Sequence, residues 1–106
     1  MIIRILELAE ADLLAGYRFY ERQRPGIGNY FLDTLYSDIE SLSIYAGIHR
    51  QVFGYYRLLS SRFPYGVYYS MNGDVVEIWR VLDCRRRPGW IERQVKRKSA
   101  RRPPRS

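Results

Sequence analysis

The sequence predicts an α+β domain whose elements run β-α-α-β-β-β: an N-terminal strand, an antiparallel helix hairpin, then three antiparallel strands. Three observations lead there. Phe63, Tyr65, Val67 and Tyr69 alternate with Arg62, Pro64, Gly66, Tyr68 and Ser70, the period of two that puts successive side chains on opposite faces of a strand. Asn72-Gly73, a dipeptide that tolerates positive φ, then joins this strand to the nearly continuous apolar run over residues 75–82, so the two form a hairpin. Between residues 9 and 42 the apolar positions instead keep a helical interval, interrupted once by Arg24-Pro25-Gly26.

Taken in order, residues 2–6 are short, apolar and β-branched at their start, which suits an edge strand. From about Ala9, Leu13, Tyr17 and Tyr20 fall on one helical stripe, with Glu10, Asp12, Arg18, Glu21 and Arg22 off it. After the Pro-Gly break, Ile27, Phe31, Leu35, Ile39 and Leu42 repeat the pattern; the connection is so short that the two helices must pack antiparallel. Leu13, Tyr17, Phe31 and Leu35 are the expected core of that pair. Residues around Gly47, His49 and Arg50 read as loop, and residues 53–59 return to an extended, aromatic-rich pattern. The run 75–82, broken only by Glu77 and Arg80, has the character of a strand with neighbours on both sides and is expected at the centre of the sheet. Pro88 is tolerated in a first helical turn, which leaves room for a short helix from there to about Lys98. The helix pair covers one face of the sheet, and the other is left for solvent or a partner.

At 106 residues the chain forms one domain large enough to bury a core. No apolar run approaches the roughly 20 residues that span a bilayer, and the N-terminus lacks a secretory signal, so the cytoplasm is the expected compartment. Cys84 is the only cysteine and His49 the only histidine, too few soft ligands for a transition-metal centre; no metal or other cofactor is implied. The net charge of +7 is unevenly spread. Residues 1–92 hold eleven Lys plus Arg against eleven Asp plus Glu, whereas residues 93–106 hold seven cations and no acid. The expected division is therefore a domain over 1–92 and a basic tail over 93–106, too poor in apolar residues to offset its ordering entropy and so disordered. Salt-sensitive contact with nucleic acid is the sharper reading of such a tail.

The first helix ending in FYERQRPGIGNYF, the Tyr56-Arg57 pair, RFPYGVYY and VEIWRVLDCRRRP together resemble the RelE/ParE superfamily of toxins from bacterial type II toxin-antitoxin systems, over about residues 2–92. The resemblance implies a microbial-RNase-like α+β fold, growth inhibition, and neutralisation by a cognate antitoxin in a hetero-oligomer. It also implies one of two targets. Ribosome-dependent endoribonucleases of the superfamily cut mRNA with basic strand residues and a proton-handling group near the C-terminus. The matching positions here are Leu59, Ser61 and Gly66, and Trp90 or Ile91, none of which can do that work; Asp83 stands where many relatives carry histidine. Beside Arg85 and Arg86 its ionised form is favoured, and a carboxylate repels a phosphodiester. ParE-like members, which bind DNA gyrase and need no general base, resemble the chain through Arg62 ahead of the FP-containing strand, through Ile78, Arg80, Val81 and Leu82, and through Arg86. The sequence departs from them at Asp83 and at Arg87, where an aspartate usually sits. The ParE-like branch is the closer one, with the ribosome-dependent nuclease or an inactive orphan toxin as alternatives.

Within that frame the candidate contacts with a target or phosphate are Arg62, Arg80, Arg85 and Arg86, and no residue is assigned as catalytic. Arg62 and Arg80 also suit a structural role, an arginine in a strand needing water or a carboxylate such as Glu77 or Asp83. Arg85, Arg86 and Arg87 repel one another and contribute little to folding, which marks them as a contact patch for an acidic antitoxin segment or a target. Phe19, an exposed remainder of the first helix, joins these three as an antitoxin-binding candidate. Tyr65, Tyr68 and Tyr69 read as packing, and Cys84 lacks the accompanying base of a nucleophile.

Overall fold

The computed structural model describes residues 1–97. Its elements are β1 (Ile2–Ile5), α1 (Glu7–Gln23), α2 (Ile27–Glu40), α3 (Leu42–Tyr45), β2 (Gln51–Val52), β3 (Tyr55–Leu59), β4 (Tyr65–Asn72), β5 (Val75–Asp83) and α4 (Pro88–Lys96). The five strands form one sheet in the order β1-β5-β4-β3-β2, with β1 parallel to β5 and every other pair antiparallel. The α+β class, the edge position of β1 and the helix hairpin are as the sequence predicts. β5 does have a neighbour on each side, although β4 is the middle strand of the five.

Alternation along β4 divides the core in two. Tyr65, Val67 and Tyr69 face the helix pair, where Leu13, Phe31, Leu35 and Ile39 are also buried, while Tyr68 faces the other way. Phe31 anchors the first layer, its ring 4.9 Å from Tyr65, 5.1 Å from Phe63 and 5.2 Å from Tyr20. α1 and α2 come this close because position 16 is glycine: a Cβ there would stand 2.5 Å from Phe31 Cζ. At the turn between them, the Glu21 carboxylate accepts the backbone N–H groups of Gly26 and Gly28, so a side chain satisfies two donors left over at the start of α2.

Four expectations need correction. The sheet face opposite the helix pair is covered: α4 lays Ile91 and Val95 against Tyr68 and Leu82, with Phe53, Tyr55 and Trp90 around them. The basic tail therefore begins later than residue 93, since Arg93 to Lys96 belong to α4 and Val95 is buried; residues 98–106 lie outside the described residues. Residues 53–59 do not form one strand, because Phe53 (φ 55°) and Gly54 (φ 87°) make a tight turn that pairs β2 with β3. The hairpin between β4 and β5 turns one residue beyond Asn72-Gly73: Asn72 pairs with Val75, and Gly73, at φ 60°, and Asp74 are the loop.

A bulge in β5 decides what this strand presents. Tyr69 pairs with Ile78 but Tyr68 pairs with Arg80, leaving Trp79 as the extra residue. Ile78 and Val81 consequently share the helix-pair face, although their spacing would put them on opposite faces of a regular strand. β1 ends opposite Ile78, so beyond the bulge the edge of β5 has no strand neighbour.

Candidate functional site

The exposed edge of β5 shapes the site. With β1 too short to continue pairing, the backbone N–H of Val81 needs another acceptor, and Asp12 of α1 supplies it at 3.0 Å. The same carboxylate takes two bonds from Arg80, Nε to Oδ2 at 2.7 Å and Nη2 to Oδ1 at 2.8 Å. Arg80 Nη1 donates to the backbone carbonyl of Gln94 in α4, 2.7 Å away. One buried guanidinium thus ties α1, β5 and α4 together around the strand edge. Arg80 is 6% exposed, and its partner is neither Glu77 nor Asp83. Of the two roles the sequence left open for it, the geometry matches the structural one.

Between α1, the end of β5 and the start of α4 lies a hollow of about 440 Å³, lined by Phe19 and Gly16 on one side, Arg80 and Asp83 beneath, and Arg86 and Trp90 on the other. Arg86 is held by stacking: its guanidinium carbon lies 3.8 Å from the centre of the Trp90 ring, a cation–π contact that fixes the charge at the rim without neutralising it. Phe19, 41% exposed, meets Tyr20 edge-on at 5.0 Å. Arg85 is engaged differently. Its Nη2 and Nε donate to the two oxygens of Asp83 at 2.8 and 3.0 Å, and its backbone N–H donates to Oδ1 at 2.9 Å. These bonds hold the Asp83 carboxyl below the usual range, against the opposing effect of partial burial, so its ionised form is favoured.

Among the described residues, Tyr65, Tyr20 and Cys84 near the hollow are all shifted away from neutrality. Burial pushes the Tyr65 hydroxyl up to about 12 and raises Tyr20 as well. Burial also raises the Cys84 thiol, so it remains protonated. Trp90 is occupied by Arg86, and Ile91 is buried in the α4 layer. Among the described residues no three of His, Cys, Asp and Glu cluster as metal ligands would.

The structure gathers some of the sequence candidates and separates others. Phe19, Arg80 and Arg86 line the hollow, Arg85 joins it through Asp83, and Arg87 is exposed at the N-cap of α4. Arg62 is elsewhere. It borders a second, shallower depression of about 490 Å³ with Tyr30, Asp33, Thr34, Ser37 and Ser61. His49 is a loop residue whose Nδ1 lies 2.5 Å from the buried Tyr69 hydroxyl. Two residues take a role in the site that the sequence did not assign to them. Trp90 stands four positions after Arg86, a readable pairing. Asp12 is 68 residues from Arg80, and only the fold brings them together.

Comparison with known proteins agrees with this architecture. The family model described as the ParE toxin of type II toxin-antitoxin system, parDE, matches residues 3–88. A solved structure titled "Chromosomal ParDE TA system from P. aeruginosa" superposes with a TM-score of 0.70 at 24% identity, covering 76% of this chain and 92% of that one. No curated protein matches the sequence. Because the family match spans most of the chain and the β-α-α-β sheet arrangement accompanies it, the chain belongs to the ParE toxin family of type II toxin-antitoxin systems.

Proposed function

We propose that this toxin is a non-catalytic inhibitor that binds DNA gyrase and is kept silent by a cognate antitoxin in a hetero-oligomer. The observation that carries the reading is a cluster of fixed guanidinium groups with no proton shuttle beside it. An endoribonuclease needs a group that takes the 2′-hydroxyl proton and another that returns one to the leaving oxygen. Asp83 is the nearest candidate, and its bidentate pair with Arg85 removes it from that role. The hollow instead suits recognition: Phe19 and Trp90 offer apolar surface, and Arg86 offers an exposed charge, a combination that fits an amphipathic segment carrying acidic residues.

Expression of the chain without antitoxin tests the target. DNA damage with filamentation, and loss of supercoiling by purified gyrase in the presence of the chain, are the expected results. Rapid translation arrest with cleaved mRNA would establish the ribosome-dependent nuclease instead, and unhindered growth would identify an inactive toxin. Arg86→Ala should weaken whichever partner docks in the hollow by about 2 kcal/mol or more, roughly thirtyfold, with little change in stability. Wild-type affinity for both antitoxin and gyrase in that variant would remove the hollow from the contact surface.

A further inference from the structure

We propose that the loop between α3 and β2 is held by a pH-sensitive latch: the Tyr69 hydroxyl donates a hydrogen bond to neutral His49, and protonation of that imidazole releases the loop. Of residues 47–50, which lead from the end of α3 to β2, only His49 is half-buried; Gly47, Ile48 and Arg50 are exposed. Side-chain burial therefore does little to seat the segment. One phenol does. Tyr69 is fully buried in β4, and its oxygen accepts the Gly47 backbone N–H at 3.0 Å while meeting Nδ1 of His49.

The direction of each bond follows from counting protons. A phenol carries one, and burial raises the Tyr69 hydroxyl above its ordinary range, so it keeps that proton. With Gly47 donating to the oxygen, the hydroxyl proton is left for Nδ1, which must then offer a lone pair and leave the ring's own proton on Nε2. An imidazolium has no lone pair, because both of its nitrogens donate. Nδ1–H then reaches the oxygen only if the hydroxyl turns its proton into the interior, where Tyr56 is stacked on the Tyr69 ring at 5.2 Å, and a buried donor loses its acceptor. The surroundings give the charged ring nothing in return. The titratable groups packed against it are the Tyr69 phenol and, behind it, the Tyr56 phenol of β3, while Tyr45 of α3 and Arg50 of the loop are exposed. No carboxylate of the described residues lies within ion-pair reach of His49. Burial acts in the same sense and lowers the imidazole from 6.5. Because the value is depressed in the closed loop, the latch is complete above about 6.5, weakens as pH falls below that, and has lost this contribution once pH is under the folded value.

His49 is the only histidine in the sequence, so nitrogen NMR of the full chain follows its ring without ambiguity. The wild type should show the Nε2–H tautomer and a midpoint below 6.5. Amide exchange at Gly47, corrected for its intrinsic rate, should speed up as pH falls from about 6.5, by up to about tenfold for each unit by which the midpoint is depressed, while Val67 in β4 keeps its protection. Tyr69→Phe should bring the midpoint back up toward 6.5, which burial alone would not do. His49→Asn places an amide oxygen where Nδ1 stands, and corrected Gly47 exchange in that variant should be independent of pH between about 5 and 7. A midpoint at or above 6.5, an Nδ1–H tautomer, a midpoint that Tyr69→Phe leaves in place, or wild-type Gly47 exchange indifferent to pH would each overturn the proposal. These readouts involve neither the Arg86 hollow nor gyrase, so their outcome is separate from that of the inhibitor reading.

Discussion

Two aspartates near one strand end have opposite consequences. Asp12 is enclosed with Arg80 and satisfies a backbone donor as well, so removing it strands a buried guanidinium. Asp12→Ala should cost about 3–5 kcal/mol, measured by chemical denaturation. Asp83 holds Arg85, whose side chain is 61% exposed, and screening by water makes that pair worth much less. Its effect is visible in titration. The folded-state value is depressed, so its stabilising contribution is complete above the ordinary value of about 3.9 and is lost as pH falls through the lowered folded value. Carboxyl chemical shifts should show the Asp83 midpoint below 3.9 in the wild type, and Arg85→Ala should return it toward that value. The Asp83–Arg85 pair is readable from spacing alone, being two residues apart; the Asp12–Arg80 pair is not.

At the scale of elements, small residues set how closely the layers approach. Gly16 faces the Phe31 ring, which is fully buried and surrounded by aromatic rings, so it has nowhere to move. Gly16→Ala should destabilise by about 1–3 kcal/mol despite its better helix propensity, and a denaturation midpoint equal to wild type would contradict this packing account. The helix pair was legible because its apolar residues recur at 3.6 and Pro25-Gly26 punctuates them. The two-residue β2 was not, because Phe53 occupies a positive φ that ordinarily favours Gly or Asn, so Gly54 is left as a lone turn signal inside an aromatic-rich run. Phe53 is kept there by its place in the α4 layer with Tyr68 and Leu82. The β5 bulge was equally invisible: residues 75–82 are nearly all apolar, and such a run looks the same whichever face each residue takes.

For the whole molecule the informative segment is the last turn of α4. A chain ending after Glu92 loses Val95 and the Gln94 carbonyl that receives Arg80, whereas one ending after Arg97 keeps both. The shorter form should be less stable by at least about 2 kcal/mol, from the lost burial of one aliphatic side chain and an orphaned donor on a buried charge. Equal midpoints in urea would mean that the last turn of α4 contributes nothing to the fold. The same helix borders the hollow, since its first turn carries Trp90 beneath Arg86.

Sequence alone determined the α+β class, the helix hairpin, the edge strand, the toxin superfamily and the concentration of arginine after β5. The superfamily rests on the resemblance of whole motifs, and the others rest on periodicity, local turn chemistry or composition, which are properties of neighbours along the chain. Tertiary structure decided that α4 closes the second face of the sheet, that Arg80 is a buried tie between three elements, and that Arg62 stands apart from the Arg86 hollow. Those outcomes depend on which strand edge runs out of partners and what reaches it, and contacts between residues as distant as Asp12 and Arg80 leave no trace in local pattern.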